Sequence, residues 1–282
     1  MSTHYRNLLT SLKNNHESGA TELALQTLTD LQHFLESKTS LSQERLEELV
    51  TELQAARPSM VTLANVLERW RRSWPAATAQ DDTAYLTSLS ELRQQLSQVS
   101  ARVTEHASSL FKPGMTIMTH SRSSQVTALL ESLRQHLNDI RVFITISAPG
   151  NEGYLLAKQL NSIKLPVTLI TDAEMGLVMP EVDINISGCD CWLSDHYFVN
   201  KSGTLLQALA AQHFGKPFWV LADSFKNCHL SSKEVQLESM PTLELHLPHG
   251  NYISGRNTYF EPVSTRLISG RVDEQGLQAM NG

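Results

Sequence analysis

The sequence predicts an α/β protein with a helical N-terminal region and a Rossmann-like domain built on a mostly parallel sheet. Three observations lead there. Over the first hundred residues apolar side chains recur at helical spacing, and strand signals are few. From about Lys112 short apolar runs alternate with amphipathic segments. Those runs are continuous rather than alternating, the mark of strands covered on both faces and hence of a parallel sheet flanked by helices. The expected division is a helical domain over residues 1–110 and an α/β domain carrying the pocket over 111–282.

In chain order, Leu25, Leu28, Leu31 and Leu35 form the first helical stripe. Leu46, Leu49, Val50 and Leu53 form the second, preceded by Ser40 with Gln43 as a capping box. Leu63, Val66, Leu67 and Trp70 form the third. The cluster Arg69, Arg71, Arg72 in that helix reads as a solvated face. Pro75 to Thr83, rich in Ala, Thr and Asp, reads as a loop before a long helix with Leu89, Leu92, Leu96, Val99 and Val103 on one face. The strand–helix alternation then begins. TIMTH (Thr116–His120) precedes a helix over Ser123–Leu137; VFITIS (Val142–Ser147) precedes one over Gly153–Ile163. VTLIT (Val167–Thr171) precedes a short segment; INIS (Ile184–Ser187) precedes a loop and a helix over Gly203–Gly215; FWVLAD (Phe218–Asp223) closes the series.

Composition excludes several classes. Of 282 residues, 41% are hydrophobic and 18% charged, which is ordinary for a globular chain. A formal net charge of −6 argues against a dedicated nucleic-acid binder, which would carry a basic face. No stretch approaches the roughly 20 apolar residues of a membrane span. The first residues, MSTHYRNLLTSLKNNHESG, lack the apolar core of a signal peptide. Cys189, Cys191 and Cys228 are odd in number and without framework spacing, so reduced thiols in a cytoplasmic protein are expected.

In open α/β sheets ligands bind beyond the carboxyl ends of the strands. Thr119-His120-Ser121, Ser147-Ala148-Pro149-Gly150, Asp172, Asp190 and Asp223 all fall at or near such ends. A dinucleotide site would need GxGxxG after a strand, and Gly150-Asn151-Glu152-Gly153 lacks that spacing. A serine hydrolase would need G-x-S-x-G, whereas Met118-Thr119-His120 precede Ser121. Adjacent side chains on a strand also point to opposite faces, so a His next to Ser121 in sequence does not ensure a hydrogen bond to it. Cys189-x-Cys191 with a distant Cys228-His229 is not an ordinary zinc pattern. No metal and no cofactor is expected.

Six blocks carry a family resemblance. They are Ala56 to Leu63 (ARPSMVTL), Gly114 to Ser124 (GMTIMTHSRSS), Val167 to Gly176 (VTLITDAEMG), Ser187 to Thr204 (SGCDCWLSDHYFVNKSGT), Lys216 to Lys226 (KPFWVLADSFK), and Asn257 to Gly276 with FEP and VDEQG. In this order the chain resembles the superfamily of the α, β and δ subunits of eukaryotic translation initiation factor 2B together with ribose-1,5-bisphosphate isomerase and methylthioribose-1-phosphate isomerase. The resemblance covers roughly Arg57 to the C-terminus.

The resembling isomerases convert an aldose phosphate to the ketose phosphate, moving hydrogen between C1 and C2, which calls for a positioned acid/base pair. They use a cysteine after the T-H and an aspartate in the G-x-D block. Asp190, in Gly188-Cys189-Asp190, matches the aspartate, which the initiation-factor subunits often lack. Ser121 stands at the cysteine position, and a hydroxyl cannot supply the thiolate that a thiol of pKa about 8.5 can. The isomerases also carry E-[ST]-R-P, whose Arg helps hold phosphate; here Ile146-Ser147-Ala148-Pro149 puts Ala where the guanidinium would be. Arg57, Asn200 and Lys201 match, and the backbone N–H groups around Ser123 and Ser124 at a helix start suit an anion. Asp190 and Ser121 are therefore the catalytic candidates, and Arg57, Ser123, Ser124, Asn200 and Lys201 the phosphate-binding ones. The pocket is expected to hold one phosphate and to be poorly equipped for two.

The resemblance implies a homodimer binding a phosphorylated sugar or nucleotide, with isomerase activity weakened or lost. Its alternatives are an active aldose–ketose isomerase on a pentose phosphate, which would be an intramolecular oxidoreductase, and a regulatory subunit of a translation-factor-like assembly.

Overall fold

The structure, a computed structural model, describes residues 3–14, 19–37, 42–57, 61–74 and 82–280. The chain opens with α1 (Thr3–Asn14), α2 (Ala20–Glu36), α3 (Gln43–Ala56), α4 (Val61–Arg72) and α5 (Asp82–Ser108). Leu46, Leu49, Val50 and Leu53 of α3, and Leu63, Val66, Leu67 and Trp70 of α4, are all buried in one cluster, as their spacing predicts. In α2 the buried face is turned slightly from the predicted stripe. Leu23, Ala24, Leu28, Leu31 and Phe34 are buried, while Leu25 and Leu35 lie half-exposed at its edge. Trp70 locks α4 to α5, its indole N–H donating to the Tyr85 carbonyl at 3.1 Å. An edge-on contact with Trp74, centroids 5.0 Å apart, is worth about 0.5–1.5 kcal/mol beyond area burial.

The predicted cap Ser40 lies outside the described residues; the N-cap of α3 is Ser42, whose side chain accepts from Arg45 N. Of the predicted loop Pro75 to Thr83, residues 75–81 lie outside the described ones and Asp82 and Thr83 already belong to α5. Arg71 and Arg72 pair with Glu68 on the helix surface, as a solvated face would. Arg69 instead lies 3.8 Å from the centre of the Phe225 ring.

The strand–helix series follows as β1 (Thr116–Thr119), α6 (Ser124–His136), β2 (Arg141–Thr145), α7 (Glu152–Ser162), β3 (Val167–Ile170), α8 (Met175–Val178) and β4 (Ile184–Ser187). Then come β5 (Cys191–Trp192), β6 (Tyr197–Lys201), α9 (Thr204–His213), β7 (Phe218–Leu221), β8 (Phe260–Ser264), β9 (Gly270–Asp273) and β10 (Gly276–Ala279). The main sheet has the order β10-β9-β7-β4-β1-β2-β3 and is parallel except for β10, which pairs antiparallel with β9 at the edge. From β1 the chain winds outward through β2 to β3, then returns to lay β4 on the other side of β1. The carboxyl ends of β1 and β4 therefore flank a point where the winding reverses, the place where such sheets open a crevice.

The segment after β4, expected as loop, instead forms the hairpin β5–β6, which joins β8 in a separate antiparallel sheet. Among the described residues no helix is long and apolar enough to cross a membrane.

Candidate functional site

The ends of β1, β2 and β3 are laced together by backbone and side-chain bonds. At the end of β1 the chain turns through Ser121 with φ of +64°, a conformation costing a non-glycine residue roughly 1–2 kcal/mol. The turn delivers Ser121 N–H to Ser147 Oγ at 2.7 Å. Asp172, after β3, accepts from Ser147 N at 2.9 Å and from Ala148 N at 2.8 Å.

His120 is buried beneath this turn. Its Nε2 faces the Ser202 carbonyl at 2.8 Å, and a carbonyl can only accept, so Nε2 carries the hydrogen. Nδ1 is left to accept from Thr145 Oγ1 at 2.6 Å. Burial holds the imidazole below its ordinary pKa, against the carbonyl of Ser202 and the charge of Asp172. With both nitrogens engaged, His120 is a neutral brace rather than a base for Ser121.

On the far side of the reversal, β4 runs into Ser187-Gly188-Cys189-Asp190. A Cβ on Gly188 would meet Ser123 Oγ at 2.3 Å, so glycine is what lets the start of α6 approach this turn. Asp190 N–H donates to the Val199 carbonyl of β6 at 2.9 Å, pinning the backbone and leaving the carboxylate turned to the cleft. Burial raises the Asp190 pKa, opposed by the charges of Lys226 and Lys201. The Lys226 ammonium donates to the Cys189 carbonyl next door.

These turns open into one cleft. The β1–α6 turn contributes Ser121, Ser123 and Ser124; the β4–β5 turn contributes Asp190; β6 contributes Asn200 and Lys201; the end of α3 contributes Arg57. The structure thus gathers all seven sequence candidates around one space. Asn200 is partly committed elsewhere, its Nδ2 donating to Ser187 Oγ at 2.8 Å and Thr204 Oγ1 at 2.9 Å. Arg57 Nε lies 4.0 Å from Glu238 Oε1. Lys201 pairs with the Glu152 carboxylate and sits 4.1 Å from the centre of the Tyr259 ring.

Among the lining residues that the sequence did not single out are Arg122, Glu152, Lys226, Glu238 and Tyr259. Lys226 stood within the quoted ADSFK block, and that resemblance could have flagged it. Arg122 and Tyr259 likewise fall in the Gly114–Ser124 and Asn257–Gly276 blocks, whereas Glu152 and Glu238 lie in segments with no chemical pattern of their own. Among the described residues lining the cleft, Arg57, Arg122, Lys201 and Lys226 face the carboxyls of Glu152, Asp190 and Glu238.

Comparison with known proteins gives a consistent picture. The model of the initiation factor 2 subunit family matches residues 16–279. A putative translation initiation factor eIF-2B subunit 2-like protein of Pyrococcus horikoshii is 30% identical, covering 96% of this chain and 94% of its own. A ribose 1,5-bisphosphate isomerase of Methanocaldococcus jannaschii is 26% identical over 94% of this chain and 88% of its own. Among solved structures, the translation initiation factor eIF-2B of Pyrococcus horikoshii superposes with TM-score 0.87 at 28% identity, covering 99% of this chain and 98% of the other. The 5-methylthioribose 1-phosphate isomerase of the same organism shares the fold with TM-score 0.81 at 19% identity, covering 98% and 84%.

Proposed function

The chain belongs to the initiation factor 2 subunit family, and on that premise we propose that it binds a phosphorylated sugar or nucleotide in this cleft, with isomerase activity weakened or lost. The observation that carries the proposal is the reversal of the winding between the neighbouring strands β1 and β4. It sets Ser121 and Asp190 on either side of one opening, with Arg57, Lys201 and Lys226 around it. In this reading the cations and the N–H groups at the start of α6 hold the phosphate. Asp190 keeps its proton more readily than an exposed carboxyl and can donate it to a sugar oxygen. Ser121 supplies a hydroxyl where the resembling isomerases place a thiol. That Asp190 favours the active-isomerase alternative and Ser121 the binding one makes turnover the deciding measurement.

The test is thermal unfolding with ribose 1,5-bisphosphate, methylthioribose 1-phosphate and AMP, beside NMR detection of ketose phosphate. A ligand at 100 times its Kd adds about 2.7 kcal/mol of stability, and Arg57→Ala is expected to remove most of that shift. A sugar phosphate bound equally well by Arg57→Ala sinks the assignment of this cleft.

A homodimer through the α/β portion is part of the proposal. The FWVLAD run does not itself call for a partner, because β7 lies inside the sheet between β4 and β9. Its support is apolar surface on α8 and α9, where Leu177, Leu206 and Leu209 are exposed. Light scattering that returns a 31.5 kDa monomer at every concentration counts against it.

A further inference from the structure

Taking the cleft as phosphate-binding, as proposed above, we infer that Glu152 fixes the class of ligand it accepts: a single phosphate ester whose other end carries hydroxyl or amino donors, and not a molecule with phosphates at both ends. Glu152 opens α7 and is only 9% exposed. Its Oε1 accepts from Lys201 Nζ. Its Oε2 is buried and accepts from none of the described groups. A buried carboxylate oxygen left in this state has lost water without gaining a partner, and an ionised carboxylate can only accept. What completes it is a donor brought in by the ligand. A phosphate oxygen brings none and meets like charge instead.

The same bond leaves Lys201 with less charge to offer a phosphate than Arg57 or Lys226. Its ammonium is matched by Glu152 on one side and covered by the Tyr259 ring on the other. The surroundings sort by charge in the same sense. A second cavity adjoins the first and shares Arg57, Glu152, Glu238 and Tyr259 with it. Beyond them it adds Glu244, whose Oε2 accepts from Asn257 and Tyr259, so its described lining holds three carboxylates beside Arg57 and Lys13, with Lys201 reaching Glu152 from the first cavity. Ser123, Ser124 and Lys226 line the first cavity and not the second. The cleft therefore runs from an anion-accepting end at the start of α6 to an acceptor-rich end at Glu152. A sugar monophosphate and a nucleoside monophosphate share the chemistry that fits this polarity, one phosphate and a far end of N–H or O–H donors.

The experiment is calorimetric titration of the full chain, wild type and Glu152→Gln, with ribose 5-phosphate, AMP and ribose 1,5-bisphosphate. The wild type is expected to bind at least one of the two monophosphates about tenfold or more tighter than the bisphosphate. Glu152→Gln removes the charge at nearly constant shape and frees Lys201, so it is expected to narrow that ratio at least tenfold by strengthening bisphosphate binding. AMP ahead of ribose 5-phosphate puts an amino donor at Glu152 and the reverse order a sugar hydroxyl; both orders support the inference. Wild-type protein that binds the bisphosphate as tightly as either monophosphate, through Arg57, overturns the role of Glu152 while leaving the phosphate cleft standing. Wild-type protein that binds none of the three overturns both. Should Glu152→Gln fail to fold by circular dichroism, the wild-type ratio alone decides.

Discussion

The Nε2–H of His120 is donated to the carbonyl of Ser202, 2.8 Å away, so the end of β1 is tied directly to the residue that follows β6. A charged ring would keep this bond but lose the one that Nδ1 accepts from Thr145, and burial disfavours the charge. A histidine with depressed folded pKa takes up its proton in the unfolded chain first, so stability is lost as pH falls below about 6.5 toward the folded value. Wild type is therefore expected to lose stability relative to His120→Asn between pH 7.5 and 5.5, read as urea midpoints. Parallel pH curves for the two proteins would contradict a neutral, bracing His120.

The brace also constrains the turn it holds. Gly203 has φ of +112°, and a Cβ there would meet His120 Cε1 and Nε2 at 2.6 Å. Gly203→Ala is thus both strained and overpacked, and a loss of about 2–4 kcal/mol is expected from the two effects together. Chemical denaturation measures it. A change under 0.5 kcal/mol would mean that the ring moves aside without cost.

Ser121 and Asp190 bear on catalysis. Wild type is expected to isomerise ribose 1,5-bisphosphate or methylthioribose 1-phosphate slowly or not at all, since losing one positioned acid/base group typically costs about 10²–10⁴-fold. Ser121→Cys restores a thiol in a side chain of nearly the same shape. Joined to Ala148→Arg, it is expected to raise ketose phosphate formation above either single change, and adding Asp190→Asn to the pair to abolish the gain. Brisk wild-type turnover that survives Ser121→Ala would show that the hydroxyl was never the limiting group.

The three thiols are predicted to react unequally. The Cys191 thiol donates to Cys228 and holds it down to about 6, while burial pushes Cys189 up to about 12. Cys228 is half-exposed and Cys191 buried. Because alkylation follows the thiolate, iodoacetamide at pH 7 is expected to label Cys228 first, with the rate half-maximal near pH 6. Mass spectrometry of the labelled peptide checks this, and equal labelling of Cys189 would refute it.

The sequence made visible the strands with continuous apolar runs and not the others. β1, β2, β3, β4 and β7 of the parallel part of the sheet carry such runs, β3 even at its edge. β5 is two residues long, and β6 reads Tyr-Phe-Val-Asn-Lys, ending in the polar pair that faces the cleft; neither carries a strand's periodicity. The family's motif positions marked Ser121, Asp190, Arg57 and Lys201 because they fall in recognisable blocks. Glu152 sits in an unremarkable amphipathic helix start, EGYLLAKQL, and only the path of β6 brings Lys201 to it. Its significance is a property of two segments 49 residues apart, which no local pattern records.

The helix α5 has a consequence of a mechanical kind. Its 27 residues make a rod about 40 Å long. Leu89, Leu92 and Leu96 near its start are sealed into the helical core, and Val103 and Ala107 near its end into the core of the sheet. A rod anchored at both ends couples the two cores, because unwinding that starts in one core runs along the same helix toward the side chains sealed in the other. Slow amide exchange is thus expected to run unbroken along it, with the helices around Trp70 and the strands around Ile117 surrendering their hydrogens at a common rate.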